Sequence, residues 1–139
     1  MTNNIITKYG YDFAGAVFAS AFTSKEYKLT NYKYIDFIVV CGAGTEADIT
    51  VKIFGKNGET EKALAFRTVN ENGLSSEYVS EEGAALTIGG DGRIAVYRIT
   101  ADDLAKDGFA SAVLKLTAAE GSTVIGSVIT VCYEPRYSE

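Results

Sequence analysis

Apolar and polar residues alternate with period two along much of the chain, and glycine-bearing polar clusters interrupt the alternation every ten residues or so. The first strong run is Tyr32 to Cys41, with Ile35, Phe37, Val39 and Cys41 on one face. Its other face, Tyr32, Tyr34, Asp36, Ile38 and Val40, is also largely apolar, which predicts a central strand. Ile49, Val51 and Ile53 then alternate with Asp48, Thr50 and Lys52. Lys56-Asn57-Gly58-Glu59 predicts a hairpin turn, because Asn and Gly tolerate the positive φ of tight hairpins. The return strand is expected over Lys62 to Thr68, with Leu64 and Phe66 on one face.

Between Val69 and Gly83 the composition turns polar and predicts a long loop holding Tyr78 and Val79. Ala85 to Ile88 and Arg93 to Ile99 read as a hairpin about Gly89-Gly90-Asp91-Gly92. Phe109 to Thr117 and Thr123 to Tyr133 read as another about Ala119-Glu120-Gly121-Ser122, with Pro135 ending the sheet. Thr100 followed by Ala101-Asp102-Asp103-Leu104 has the form of an N-cap and an acidic first turn, giving a short helix near 101–106 that stops at Gly108. In Tyr9 to Leu29 the glycines among the aromatics favour a strand or extended arm over a helix. The expected architecture is one all-β domain, an antiparallel two-sheet β-sandwich of jelly-roll type with seven or eight strands. Residues 1–30 are expected as an arm and first strands packing on a sandwich of 31–139.

Composition narrows the function. The chain has 139 residues, enough for one domain with its own core, and needs neither disulfides nor a metal to hold it. It contains no histidine, so the commonest general base and transition-metal ligand is missing. A net charge of −5 argues against nucleic acid or an anionic membrane as partner. Met1 to Ile6 carries neither a basic n-region nor a long apolar h-region, and the longest apolar stretches fall far short of the ~20 residues that span a bilayer. Cys41 and Cys132 sit in apolar runs with no base or carboxylate cluster beside them and read as buried reduced thiols; a disulfide stays open, should their strands be neighbours.

No motif carries recognisable chemistry. Gly89-Gly90-Asp91-Gly92 lacks the lysine of a phosphate-binding loop, and Gly42-Ala43-Gly44 is followed by a strand where a dinucleotide fold needs a helix. Asp91, Asp102, Asp103 and Asp107 do not fall at the alternate positions of a calcium loop. No catalytic residue, cofactor or metal ligand is therefore assigned. The nine tyrosines and seven phenylalanines supply core and β-propensity, and also the material of an interface or a sugar platform.

The closing strand Val124 to Tyr133 runs into Glu134-Pro135-Arg136-Tyr137, and Tyr34 to Gly44, Ala63 to Thr68 and Tyr97 to Leu104 precede it in order. Together these segments resemble a group of small proteins of tailed bacteriophages, encoded among head genes and regarded as virion components. The resemblance spans Asn31 to Tyr137. It implies a non-enzymatic β-sandwich of the virion, assembled in the host cytoplasm: a capsid decoration or cement protein, homo-oligomeric and bound to the major capsid protein or other virion subunits. The expected contacts are Tyr9 and Tyr11 in the N-terminal arm and Arg136 and Tyr137 at the C-terminal end, Tyr and Arg being favoured at interface hot spots. Two alternatives stand beside it: a carbohydrate-binding or adhesive β-sandwich on a virion surface, and a small carboxylate hydrolase.

Overall fold

The structure is a computed structural model, and it describes residues 8–17, 21–30, 32–42, 47–70, 72–88, 93–118 and 125–135. Strands dominate, all paired antiparallel in two sheets. The first sheet runs β1 (Lys8–Val17), β12 (Ile125–Pro135), β4 (Tyr32–Cys41), β10 (Arg93–Thr100), β7 (Phe66–Asn70) and β8 (Gly73–Val79). In the second, β11 (Ser111–Ala118) and β5 (Ala47–Asn57) lie at the centre. The outer flank of β11 is shared by β2 (Ala21–Thr23) and β3 (Tyr27–Lys28). That of β5 is shared by β6 (Thr60–Leu64) and β9 (Ala84–Ile88). The expected two-sheet antiparallel sandwich is the fold.

β4 has the predicted bounds and the predicted central position, between β12 and β10. Its inward residues Ile35, Phe37, Val39 and Cys41 meet Ile49, Val51 and Ile53 of β5 and Leu114 and Leu116 of β11 in one buried cluster. Tyr27 sets its ring edge-on to Phe37 at 6.1 Å, which ties β3 into the core. Between β2 and β3 the ladder is carried by Ser24. The Leu114 amide donates to its Oγ at 2.9 Å, and the Ser24 amide donates to the Leu114 carbonyl. A serine buried there is satisfied on both sides.

The turn at Gly58 has φ +57, so the predicted hairpin forms, with Asn57 opposite Thr60. The strand expected over Lys62 to Thr68 is two strands. β6 ends at Leu64 in the second sheet, and β7 starts at Phe66 in the first. Both Leu64 and Phe66 are buried, because the chain passes through the core edge as it changes sheet. The polar stretch expected as a loop contains β8, which pairs with β7 through Phe66–Val79 and Arg67–Tyr78. Two further expected hairpins are absent: β9 pairs with β5 and β10 with β4 and β7, while β11 and β12 also lie in different sheets. The glycine clusters 89–92 and 119–122 themselves lie outside the described residues. Twelve strands among the described residues replace the expected seven or eight.

The helix α1 (Ala101–Lys106) falls where expected. The Asp103 amide donates to Thr100 Oγ1 and the Thr100 amide to Asp103 Oδ2, a capping box with aspartate in the glutamate position. Leu104 buries beneath it. The two cysteines are free and buried, and burial pushes the Cys41 thiol up. Although β4 and β12 are neighbours, Cys41 lies opposite Gly126 and Cys132 opposite Ile35, six residues apart in register. That is about 20 Å along a strand, far beyond disulfide reach.

Candidate functional site

The outward face of the first sheet is built in cross-strand rows. Directly paired residues share a face, so the register fixes which side chains stand together. One row crosses five strands as Leu74, Val69, Val96, Ile38 and Ile129. The next holds Ile94, Val40 and Ser127. Leu74 is 38% and Ile94 67% exposed, and the other apolar members are half-buried. An antiparallel sheet with one solvated face ordinarily alternates apolar-in and polar-out. Here the outward half of that alternation is aliphatic.

Toward the α1 end the same face changes character. The next row is Tyr78, Arg67, Arg98, Asp36 and Val131, and beyond it stand Thr100, Tyr34 and Tyr133. Asp36, 4% exposed, accepts two bonds from Arg98: Nε to Oδ1 at 2.6 Å and Nη2 to Oδ2 at 2.9 Å. This fork-to-carboxylate geometry raises the Arg98 pKa further, so the guanidinium stays charged. The guanidinium of Arg98 also lies 3.9 Å from the centroid of Tyr34, whose ring stacks on Tyr133 at 4.9 Å. Because β10 and β12 flank β4 on opposite sides, Tyr34 is held between cation and ring.

A groove of about 680 Å³ opens between α1 and this end of the sheet. Lys33, Tyr34, Arg67, Tyr78, Asp102 and Lys106 are among its walls. Tyr78 donates its hydroxyl to Asp103 Oδ1 at 2.8 Å and lies under Arg67, 4.8 Å from the ring centroid. The hydrogen bond to Asp103 raises the Tyr78 pKa, keeping the phenol protonated.

The residues expected as contacts fare differently. Register places Tyr9 of β1 opposite Val131 and Tyr11 opposite Ile129, in line with the rows just described. Arg136 and Tyr137 lie outside the described residues. Two of the aspartates weighed as calcium ligands have other partners: Asp103 caps α1 and holds Tyr78, while Asp107 pairs with Lys62 at 3.0 Å. Asp91 lies outside the described residues, and no cluster able to hold a metal occurs among those that are described. Sequence reasoning missed Arg67, Arg98 and Tyr78. Arg98 was within reach, since Asp36 is an acid in an apolar strand and requires a cation if buried.

No family model and no curated protein matches the chain. Among solved structures, the SPBc2 prophage-derived protein YomS shares the fold end to end. Its TM-score is 0.57 at 10% identity, over 96% of this chain and 98% of that one. The N-terminal modules of the Clostridium thermocellum endo-1,4-β-D-xylanase 10B, a CBM22-1 and GH10 pair solved with xylohexaose, align at a TM-score of 0.46 and 8% identity. That alignment covers 93% of this chain and 29% of the xylanase chain. At such identities the likeness to YomS is one of fold.

Proposed function

We propose that this chain is a non-enzymatic structural protein of a phage virion, a decoration or cement protein that bridges capsid subunits. The observation that carries the reading is the aliphatic outward face of the first sheet, with Ile94 and Leu74 exposed at its margins. Apolar area kept on a solvated face costs solubility and gains its return when a partner covers it. The end-to-end fold likeness to a prophage-derived protein and the resemblance of the 31–137 segments to phage head proteins supply the setting. On a capsid, many copies of a modest contact add through multivalency, and binding only the assembled shell stabilises it by mass action. The partner is then the major capsid protein or another virion subunit, the chain acts as a homo-oligomer, and the place of action is the particle, after assembly in the host cytoplasm. The further contacts of this reading are Tyr9 and Tyr11 of β1 and Arg136 and Tyr137 at the C-terminal end of the sequence.

The sugar-binding alternative ranks lower because a sugar platform needs a free aromatic face. Tyr34 is sandwiched between Arg98 and Tyr133, which leaves Tyr78, 46% exposed with Arg67 against one side, as a single ring and not a platform. Mass spectrometry of purified particles tests the main reading, and absence of the chain from the virion overturns it. Ile94→Asp should leave the melting temperature within a few degrees while abolishing retention on particles. Undiminished retention would exclude this face as the contact.

A further inference from the structure

β8 closes one edge of the first sheet and, among the described residues, pairs with β7 alone. That pairing is interrupted at its middle. Val69 faces Leu74 and Arg67 faces Tyr78, so Ser75, Ser76 and Glu77 stand across from Thr68 by itself. The bulge bonds to itself: the Glu77 amide donates to Ser75 Oγ at 3.2 Å, and that hydroxyl donates to the Glu77 carbonyl at 3.3 Å. Leu74, Ser76, Glu77 and Tyr78 are exposed, so little buried apolar area holds the strand before Val79, which packs against the core. Beyond the bulge, Tyr78 reaches across to α1. Its hydroxyl donates to Asp103 Oδ1 at 2.8 Å, and Arg67 lies 4.8 Å from its ring centroid. Asp103 is 9% exposed and receives the Thr100 amide on its other oxygen, so the acceptor is anchored in the capping box of α1.

We propose that β8 is a flap, latched by Tyr78 on Asp103, that opens locally while the rest of the sandwich stays folded. Tyr78 is 46% exposed, so water competes for its hydroxyl and the latch can break without global unfolding. The flap carries a member of each outward surface: Leu74 ends the aliphatic row and Tyr78 walls the groove. Opening withdraws both at once. A partner that covers Leu74 therefore favours the closed flap and, with it, the complete groove wall. The flap follows from the contacts of β8 and stands whether or not the chain belongs to a virion.

Native-state hydrogen exchange, followed amide by amide by NMR in the wild type and in Tyr78→Phe, tests this. Phenylalanine keeps a ring beside Arg67 and removes only the hydroxyl that reaches Asp103. In the wild type the amides of β8 should exchange faster than those of β4, the central strand. In Tyr78→Phe they should exchange about tenfold faster again, the worth of one hydrogen bond to a charged group, with β4 and β12 unchanged. Exchange confined to β8 distinguishes a latch from a general loss of stability, which would speed every strand alike. Wild-type protection of β8 equal to that of β4, no acceleration in Tyr78→Phe, or equal acceleration in all strands would each overturn the assignment.

Discussion

Replacing Asp36 by alanine should unfold this protein more readily than any other single change on the outward sheet face. The substitution removes two charge-assisted hydrogen bonds, at 2.6 and 2.9 Å, and leaves the Arg98 guanidinium without its carboxylate. Breaking a buried pair by removing one partner costs about 3–5 kcal/mol. Arg98 keeps 19% of its side-chain surface, so water recovers part of the loss and the expected value is near the low end, about 3 kcal/mol. With a urea slope of about 2 kcal/mol per molar, the midpoint should fall by about 1.5 M. The double variant Asp36→Leu with Arg98→Met should cost well under the sum of the single changes, because neither charge is then stranded. Its neighbours in the row structure are aliphatic, Val131 across the strand pair and Ile38 two residues along. The assay is equilibrium urea unfolding of the wild type, both singles and the double. A coupling energy below about 0.5 kcal/mol would refute the claim that the pair holds this end of the sheet together.

Three further outcomes follow from individual contacts. Gly55→Ala would place a methyl 2.6 Å from the Phe109 ring and 2.9 Å from Leu64 Cδ1, so thermal unfolding should show a loss of about 1–3 kcal/mol; an unchanged melting temperature would mean that this packing is loose. Thr100→Ala removes the cap of α1 and should cost about 1 kcal/mol, whereas Thr100→Ser should restore most of it. The Lys115 ammonium holds the Glu61 carboxyl below its ordinary value, chiefly by a hydrogen bond. A carboxyl depressed in the folded state contributes stability above its unfolded value, and that contribution disappears as pH falls through the folded one. Melting temperature at low salt should therefore drop more steeply below about pH 4.5 in the wild type than in Glu61→Gln, and parallel curves would remove Glu61 from the account.

Local chemistry was legible where the determining interaction is local. The bounds of β4, the Gly58 turn and the capped helix all depend on neighbours a few residues away, and each was readable. Sheet membership is not of that kind. A turn signal says that the chain reverses, but whether the next strand pairs with the last or crosses to the other sheet is decided by distant partners. Ala65 shows the difficulty at its smallest: one residue separates β6 from β7, and the alternation through Leu64 and Phe66 hides the crossing because both are buried. The stretch over 73–79 failed for the opposite reason. Its polar residues follow from β8 being an exposed edge strand, and polarity alone cannot distinguish an edge strand from a loop.

The candidate surface turns on an ambiguity in a single strand. An apolar pattern on both faces of Tyr32 to Cys41 predicts a central strand, and β4 is central. Lateral position and burial are separate properties, however. β12 and β10 cover the edges of β4, while the second sheet covers only its inward face. The outward residues Ile38 and Val40 are therefore not explained by centrality; they continue into Val96, Val69 and Ile129 on strands whose outward positions are aliphatic as well. Five strands of one sheet repeat the same choice, so it is a property of the surface and not of one strand's propensity. Asp36 interrupts it at the row where Arg98 stands opposite, and from that row onward the face is charged and aromatic. The acid in an apolar strand marks the seam between an aliphatic surface and a charged, aromatic groove.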